Sequence, residues 1–146
     1  MTFTSFASLV LGCVALVLFA TCHSNNPVAV VDRRDPDAVL RAYFVAWDHN
    51  DTASEKSFMA ASYREADWYP EPVDSVKVVS AKLLDERSAR LWSKGAPDAT
   101  RVYLVVFDYN PQGRGFSMER GRYTWTYTLT WDAESSSWLI SNYGAG

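Results

Sequence analysis

Cysteine is nearly missing from this chain of 146 residues: Cys13 and Cys22 are the only two. Everything beyond Cys22 must therefore fold by packing, with neither a disulfide nor a thiolate metal site to support it. Histidine is equally scarce, with His23 and His49 alone. No His-x₃-His spacing or carboxylate cluster points to a metal, and no cofactor is expected. Charge is absent from Met1 to Thr21, which leaves all 14 basic and 17 acidic side chains to the rest of the chain. The formal net charge of −3 offers nucleic acid no electrostatic attraction. Repeats are absent too, and the glycines Gly113 and Gly115 fall between two predicted strands. A phosphate-binding loop would need a helix N-terminus directly behind them.

What is plentiful is apolar surface. At 48% hydrophobic and 14% aromatic residues, the chain can fill one core and is not disordered. The first apolar run, Phe6 to Ala20, has the length of a signal-peptide core and falls short of a spanning helix. It ends in Leu18-Phe19-Ala20-Thr21-Cys22 and turns polar at once with His23-Ser24-Asn25-Asn26-Pro27. This junction resembles a bacterial lipobox, in which the cysteine thiol is acylated and becomes the first mature residue. Thr21 and the lack of a leading Lys or Arg depart from the usual pattern, so plain cleavage and an uncleaved anchor stay open. The expected organisation is a signal peptide over 1–21, a lipidated tether over 22–34 and one domain over 35–146. The tether is read as solvated, Arg33 and Arg34 being flanked by Asp32 and Asp35.

The domain opens on a helix signal. Asp35-Pro36-Asp37 supplies a capping carboxylate, a proline at the first helical position and an acid where the helix dipole favours it. Val39, Leu40, Tyr43, Phe44, Ala46 and Trp47 then make a broad apolar face, closed by Asp48-His49-Asn50-Asp51. A short second helix follows, with Thr52 and Glu55 at capping-box spacing. Strands are predicted over Val73–Leu84, Thr100–Tyr109, Tyr123–Trp131 and Trp138–Tyr143. In Tyr123–Trp131 every odd residue is large and apolar and every even one is threonine, so one face is buried and the other meets water or hydroxyl partners. Helices followed by antiparallel strands give an α+β class, with N-terminal helices on a curved sheet of about four to five strands.

Three segments carry a family likeness: Ala38 to Trp47, Gly121 to Tyr127, and Trp138-Leu139-Ile140-Ser141-Asn142-Tyr143-Gly144. They resemble a group of small exported Gram-positive lipoproteins classed as a domain of unknown function. The resemblance implies a cone-shaped fold like that of nuclear transport factor 2 and the ketosteroid isomerases, at the extracytoplasmic face of a membrane. It implies no reaction, because one fold hosts many functions.

In such a cone Tyr43, Trp47, Asp67, Trp68, Tyr103, Tyr123, Trp125 and Tyr127 would line a pocket, or else simply fill the core. Glu65 and Asp67 are the carboxylates nearest the cavity mouth. His49 beside Asp48 and Asp51 is read as a helix-end residue rather than a base. Asp108 is read as marking a strand end before Asn110-Pro111. No catalytic residue is assigned. The expectation is a membrane-tethered, non-catalytic module binding a small molecule or a protein. An isomerase or dehydratase working in the cone is the alternative. Docking of a second copy or of a different protein on the face of Thr124, Thr126, Thr128 and Thr130 is a third reading.

Overall fold

A computed structural model describes residues 30–65, 71–93, 97–113 and 118–145. The leader, Cys22, and the pocket candidates Asp67 and Trp68 lie outside the described residues. Three helices lead, α1 (Pro36–Asp48), α2 (Thr52–Ser57) and α3 (Ala61–Arg64). A four-stranded sheet follows: β1 (Val73–Leu83), β2 (Thr100–Pro111), β3 (Gly121–Asp132) and β4 (Ser137–Ala145). Helix α4 (Glu86–Trp92) lies between β1 and β2. The strands form an antiparallel meander in the order β1-β2-β3-β4. The class is α+β, with four strands.

Helix α1 forms as its sequence dictates. The Asp35 carboxylate accepts from the Asp37 amide at 2.9 Å, and Pro36 occupies the first turn. Val39, Leu40, Tyr43, Phe44, Ala46 and Trp47 are all buried against the sheet, each large side chain contributing ~1.5–3 kcal/mol. Across from them stand Tyr103, Val105, Phe107 and Tyr109 of β2 and Tyr127 and Leu129 of β3, all buried.

Two irregularities keep apolar residues on this inner face. Ile140 and Tyr143 are three apart and in a regular strand would face opposite ways. The register shift at Thr128/Leu129, which passes over Ser141, returns both to the core. A similar shift between Val73 and Ser75 does the same for Val73 and Val76. Bulges of this kind re-aim a side chain without ending the ladder.

Both sheet edges are occupied by polar or backbone partners. On the β4 side, the Ile140 amide donates to the Phe58 carbonyl at 2.8 Å, and Ala60 N donates to the Ile140 carbonyl at 2.8 Å. On the β1 side the end of α1 reaches over. The Asp48 carboxylate accepts from the Val76 amide at 2.8 Å and pairs with Lys77. Asn50, held in a left-handed conformation (φ 54°), accepts from Val73 N at 2.8 Å and donates to Val73 O at 2.9 Å. Its amide thus imitates one rung of a neighbouring strand.

Four expectations need correction. The cap of α2 is Asp51, whose carboxylate accepts from Ser54 N at 3.1 Å, rather than Thr52. Arg33 is docked rather than solvated, whereas Arg34 is exposed and held by its backbone alone among the bonds described. The Arg33 guanidinium donates to Ser57 O at 2.7 Å and lies 4.8 Å from the Phe58 ring centre, while the Arg33 and Arg34 carbonyls accept from the Trp138 amide and indole. Asp108 does not end a strand: it sits inside β2 opposite Arg122 of β3, which donates to it at 2.7 and 2.9 Å. On the threonine face, Thr126 and Thr128 are buried rather than open to water, while the 2.8 Å bond between Thr130 and Ser141 is a hydroxyl partnership of the kind expected there.

Asn50→Ala removes two hydrogen bonds to β1 and keeps a left-handed backbone that alanine adopts poorly. It should cost about 2–3 kcal/mol in urea denaturation. Asn50→Gly, which keeps the conformation, should cost less. Equal losses in the two variants would contradict the backbone part of this account.

Candidate functional site

The aromatic residues expected around a pocket pack ring against ring. Tyr127 meets Tyr43 at 5.9 Å and Phe44 at 5.2 Å between ring centres, and Trp47 meets Phe107 at 5.6 Å and Tyr109 at 5.9 Å. Trp125 and Tyr127 stack on Tyr143 at 6.0 and 5.6 Å. Tilted and edge-on contacts at such separations contribute ~0.5–1.5 kcal/mol each beyond area burial. Trp47 donates its indole N–H to the Glu71 carbonyl at 3.4 Å, and Tyr123 donates to the Glu119 carbonyl at 2.7 Å. Tyr103 is buried near Asp37. Of the expected pocket residues, Tyr43, Trp47, Tyr123, Trp125 and Tyr127 are thus joined in one run of ring contacts, and Tyr103 is buried in the same core.

The other named residues serve the frame. His49 is exposed at the end of α1. Burial alone would raise the Asp48 carboxyl, but hydrogen bonds from Lys77 and the Val76 amide hold it below its ordinary range. Glu65 is exposed. Among the described residues, no group of three or more His, Cys, Asp or Glu side chains could hold a metal ion. No helix among them is long and apolar enough to cross a membrane.

A buried acid, Glu55, was missed in the sequence. It is only 2% exposed, and its Oε2 has no hydrogen-bond partner among the described residues. The hydroxyls of the fully buried Tyr43 and Tyr127 likewise lack a partner there. Glu55, Tyr43 and Tyr143 lie close enough for the Glu55 charge to disfavour ionisation of both phenols. Because Asp51 caps α2, Glu55 sits one turn along the helix, free of capping duty and turned toward the core. Burial, and then the Asp51 charge, raise its carboxyl to about 7. Near neutrality this side chain can therefore hold or release a proton inside the fold. The signal was visible as Thr52-x-x-Glu55, but that spacing reads equally well as a capping box.

A second feature is open to solvent. Between α1 and β1 runs a groove of about 600 Å³, floored by Leu40, Phe44, Val76 and Val105 and flanked by Val45 and Val78. Asp37, Arg41, Asp48 and Lys77 stand along it. Val45 and Val78 are 53% and 43% exposed, so the apolar wall continues out of the core. A smaller cleft of about 290 Å³ separates α4 from the start of β2.

Residues 37–144 match the family model described as Domain of unknown function (DUF4829). No curated protein matches the chain. Among solved structures, a SEC-C motif containing protein from Rhodopseudomonas palustris is similar, with a TM-score of 0.50 and 13% identity. The match covers 78% of this chain and 80% of that one. At that identity the likeness concerns the fold alone.

Glu55 makes stability depend on pH. In the unfolded chain its carboxyl titrates near 4.5 and in the fold near 7, so the native state holds the proton more tightly. Its contribution is full below about pH 4.5, falls as pH rises and levels off above about 7. Asp48 and Asp51, whose carboxyls are lowered, act in the opposite sense at more acid pH and leave this window clear. Urea denaturation should show wild type losing roughly 2–3 kcal/mol from about pH 5 to about pH 8 relative to Glu55→Gln. Parallel profiles for the two proteins would refute the assignment.

Proposed function

This chain belongs to the DUF4829 family, and from that premise we propose that it is an exported, membrane-tethered, non-catalytic module that binds a small apolar molecule. The observation that carries the reading is the α1–β1 groove. Its volume of about 600 Å³ falls within the roughly 300–1,000 Å³ of small-molecule sites. Its floor is aliphatic and aromatic, with a few charges at the rim that could orient a polar end. A peptide adding itself as a strand to β1 is disfavoured. Asp48 and Asn50 already occupy edge positions at Val76 and Val73, β1 is bulged between Val78 and Ser80, and Lys77 and Lys82 line the strand. Such features block edge-to-edge pairing.

The arrangement of helices on a four-stranded antiparallel sheet supports the cone of nuclear transport factor 2 that the family likeness implies. The lipobox-like junction at Cys22 supports export and an N-terminal lipid. The buried Glu55 beside Tyr43 favours a second reading, an isomerase or dehydratase using a proton-transferring carboxyl. The ring-on-ring packing of Tyr43, Tyr127 and Tyr143 weighs against a substrate reaching it.

Two measurements test the reading. Mass spectrometry of the membrane fraction should find Cys22 acylated at the mature N-terminus, and Cys22→Ser should release the protein to the medium. An unmodified Cys22 would overturn the tether. In Nile red titrations, Val45→Glu combined with Val78→Glu should weaken binding about fivefold or more, while Leu91→Glu, placed on α4, should not. Unchanged dye affinity in the groove variant would overturn the groove as the site.

A further inference from the structure

Helix α4 displays apolar side chains that the domain does not use. Leu91 is 82% exposed and Trp92 42%, and Leu83, which lines the cleft beside α4, is 48% exposed. Single exposed apolar residues are ordinary; a contiguous leucine and tryptophan at a helix end are not. The helix itself is well specified: Asp85 caps it by accepting from Ser88 N at 2.9 Å, and Glu86 pairs with Arg90. Its tip is therefore presented on a formed element.

The register fixes where this tip lies. Leu83 at the end of β1 pairs with Tyr103, and Thr100 at the start of β2 pairs with Thr130. Trp131 of β3 pairs with Trp138 of β4. The Trp138 amide donates to the Arg33 carbonyl at 2.9 Å and its indole to Arg34 at 3.1 Å. The chain thus joins the domain at the same end of the sheet that carries α4. From Val30 back to Cys22 the backbone spans at most about 28 Å even when fully extended. That end cannot stray far from whatever holds Cys22.

We propose that Leu91 and Trp92, with Leu83 beside them, form a membrane-contact surface that enters the lipid interface when the domain is held at Cys22. The proposal rests on the tether reading and adds an orientation to it. Tryptophan is suited to the headgroup boundary, where its ring is buried and its N–H stays wet. The segment carries Lys82, Arg87, Arg90 and Lys94 against Asp85 and Glu86, with Glu86 paired to Arg90, so on a zwitterionic surface apolar contact carries the docking and added salt should change it little.

The test uses the full chain with Cys13→Ser, coupled through Cys22 to vesicles of brominated phosphatidylcholine bearing a maleimide lipid. Coupling imposes the tether whether or not cells acylate it, so a failed lipidation assay and a failed contact are told apart. The leader contains no tryptophan, so emission reports the domain. Brominated vesicles should quench wild type, Trp92→Phe should lose at least half of that quenching, and Leu91→Ser should lower it about twofold. Equal quenching in wild type and Trp92→Phe would overturn the proposal, as would no quenching in either. Both results would leave the α4 tip to a protein partner.

Discussion

Contact between the rings of α1 and the inner face of β2 and β3 is the constraint on which the rest of the structure depends. With no cysteine after Cys22, the domain has no covalent staple, and its persistence rests on buried area. Tyr43, Phe44 and Trp47 meet Phe107, Tyr109 and Tyr127 from one helix face. The helix must then be held in one register along the sheet. Asp48 and Asn50 hold it, because their bonds to Val76 and Val73 lock the end of α1 to the edge strand. Apolar packing gives the magnitude, and two polar side chains give the position.

The same polar side chains have a consequence for binding. By occupying the outer edge of β1 they turn a strand that could recruit another chain into the wall of a groove. Beyond Val76 the strand is bulged between Val78 and Ser80 and both Val78 and Val79 are exposed, while Phe44 and Val105 still floor the space. The groove is thus a by-product of how α1 is pinned: tight at Asp48, open along Leu40 to Val45. A change that loosened the pin would alter both stability and the shape of the groove.

Much of the fold was legible because its signals are local or strictly periodic. Asp35-Pro36-Asp37 fixes the start of α1 by capping chemistry alone, and the alternation from Tyr123 to Trp131 admits only a strand, although its threonine face is buried at Thr126 and Thr128. What escaped lacked such a signal. The α4 helix is short and largely exposed, so no apolar stripe announces it. Tyr143 reaches the core only through the register shift that passes over Ser141 in its own strand. Arg33 looked solvated because its partners, Ser57, Phe58 and Trp138, are far away in sequence. For the site, the aromatic set was identified but its state was not, since packing and lining use the same residues. Glu55 was hidden by one position: with Thr52 as cap it is a capping partner, with Asp51 as cap it is a buried acid.

That single-position difference shows what Glu55 is for structurally. A buried carboxyl near 7 costs the native state stability at neutral pH, and an apolar residue of similar size would remove that cost. Among the described residues its charge acts on the Tyr43 and Tyr143 phenols, and the Asp51 carboxylate disfavours its ionisation further. The helix that carries it is only six residues long and is held from outside by Arg33 on Ser57 and by Phe58 against Ile140. These outer contacts join the incoming chain to β4, so the segment leading back toward Cys22 also clamps the helix bearing the buried acid. Strain on the incoming chain and the protonation of Glu55 therefore act on the same short element, α2.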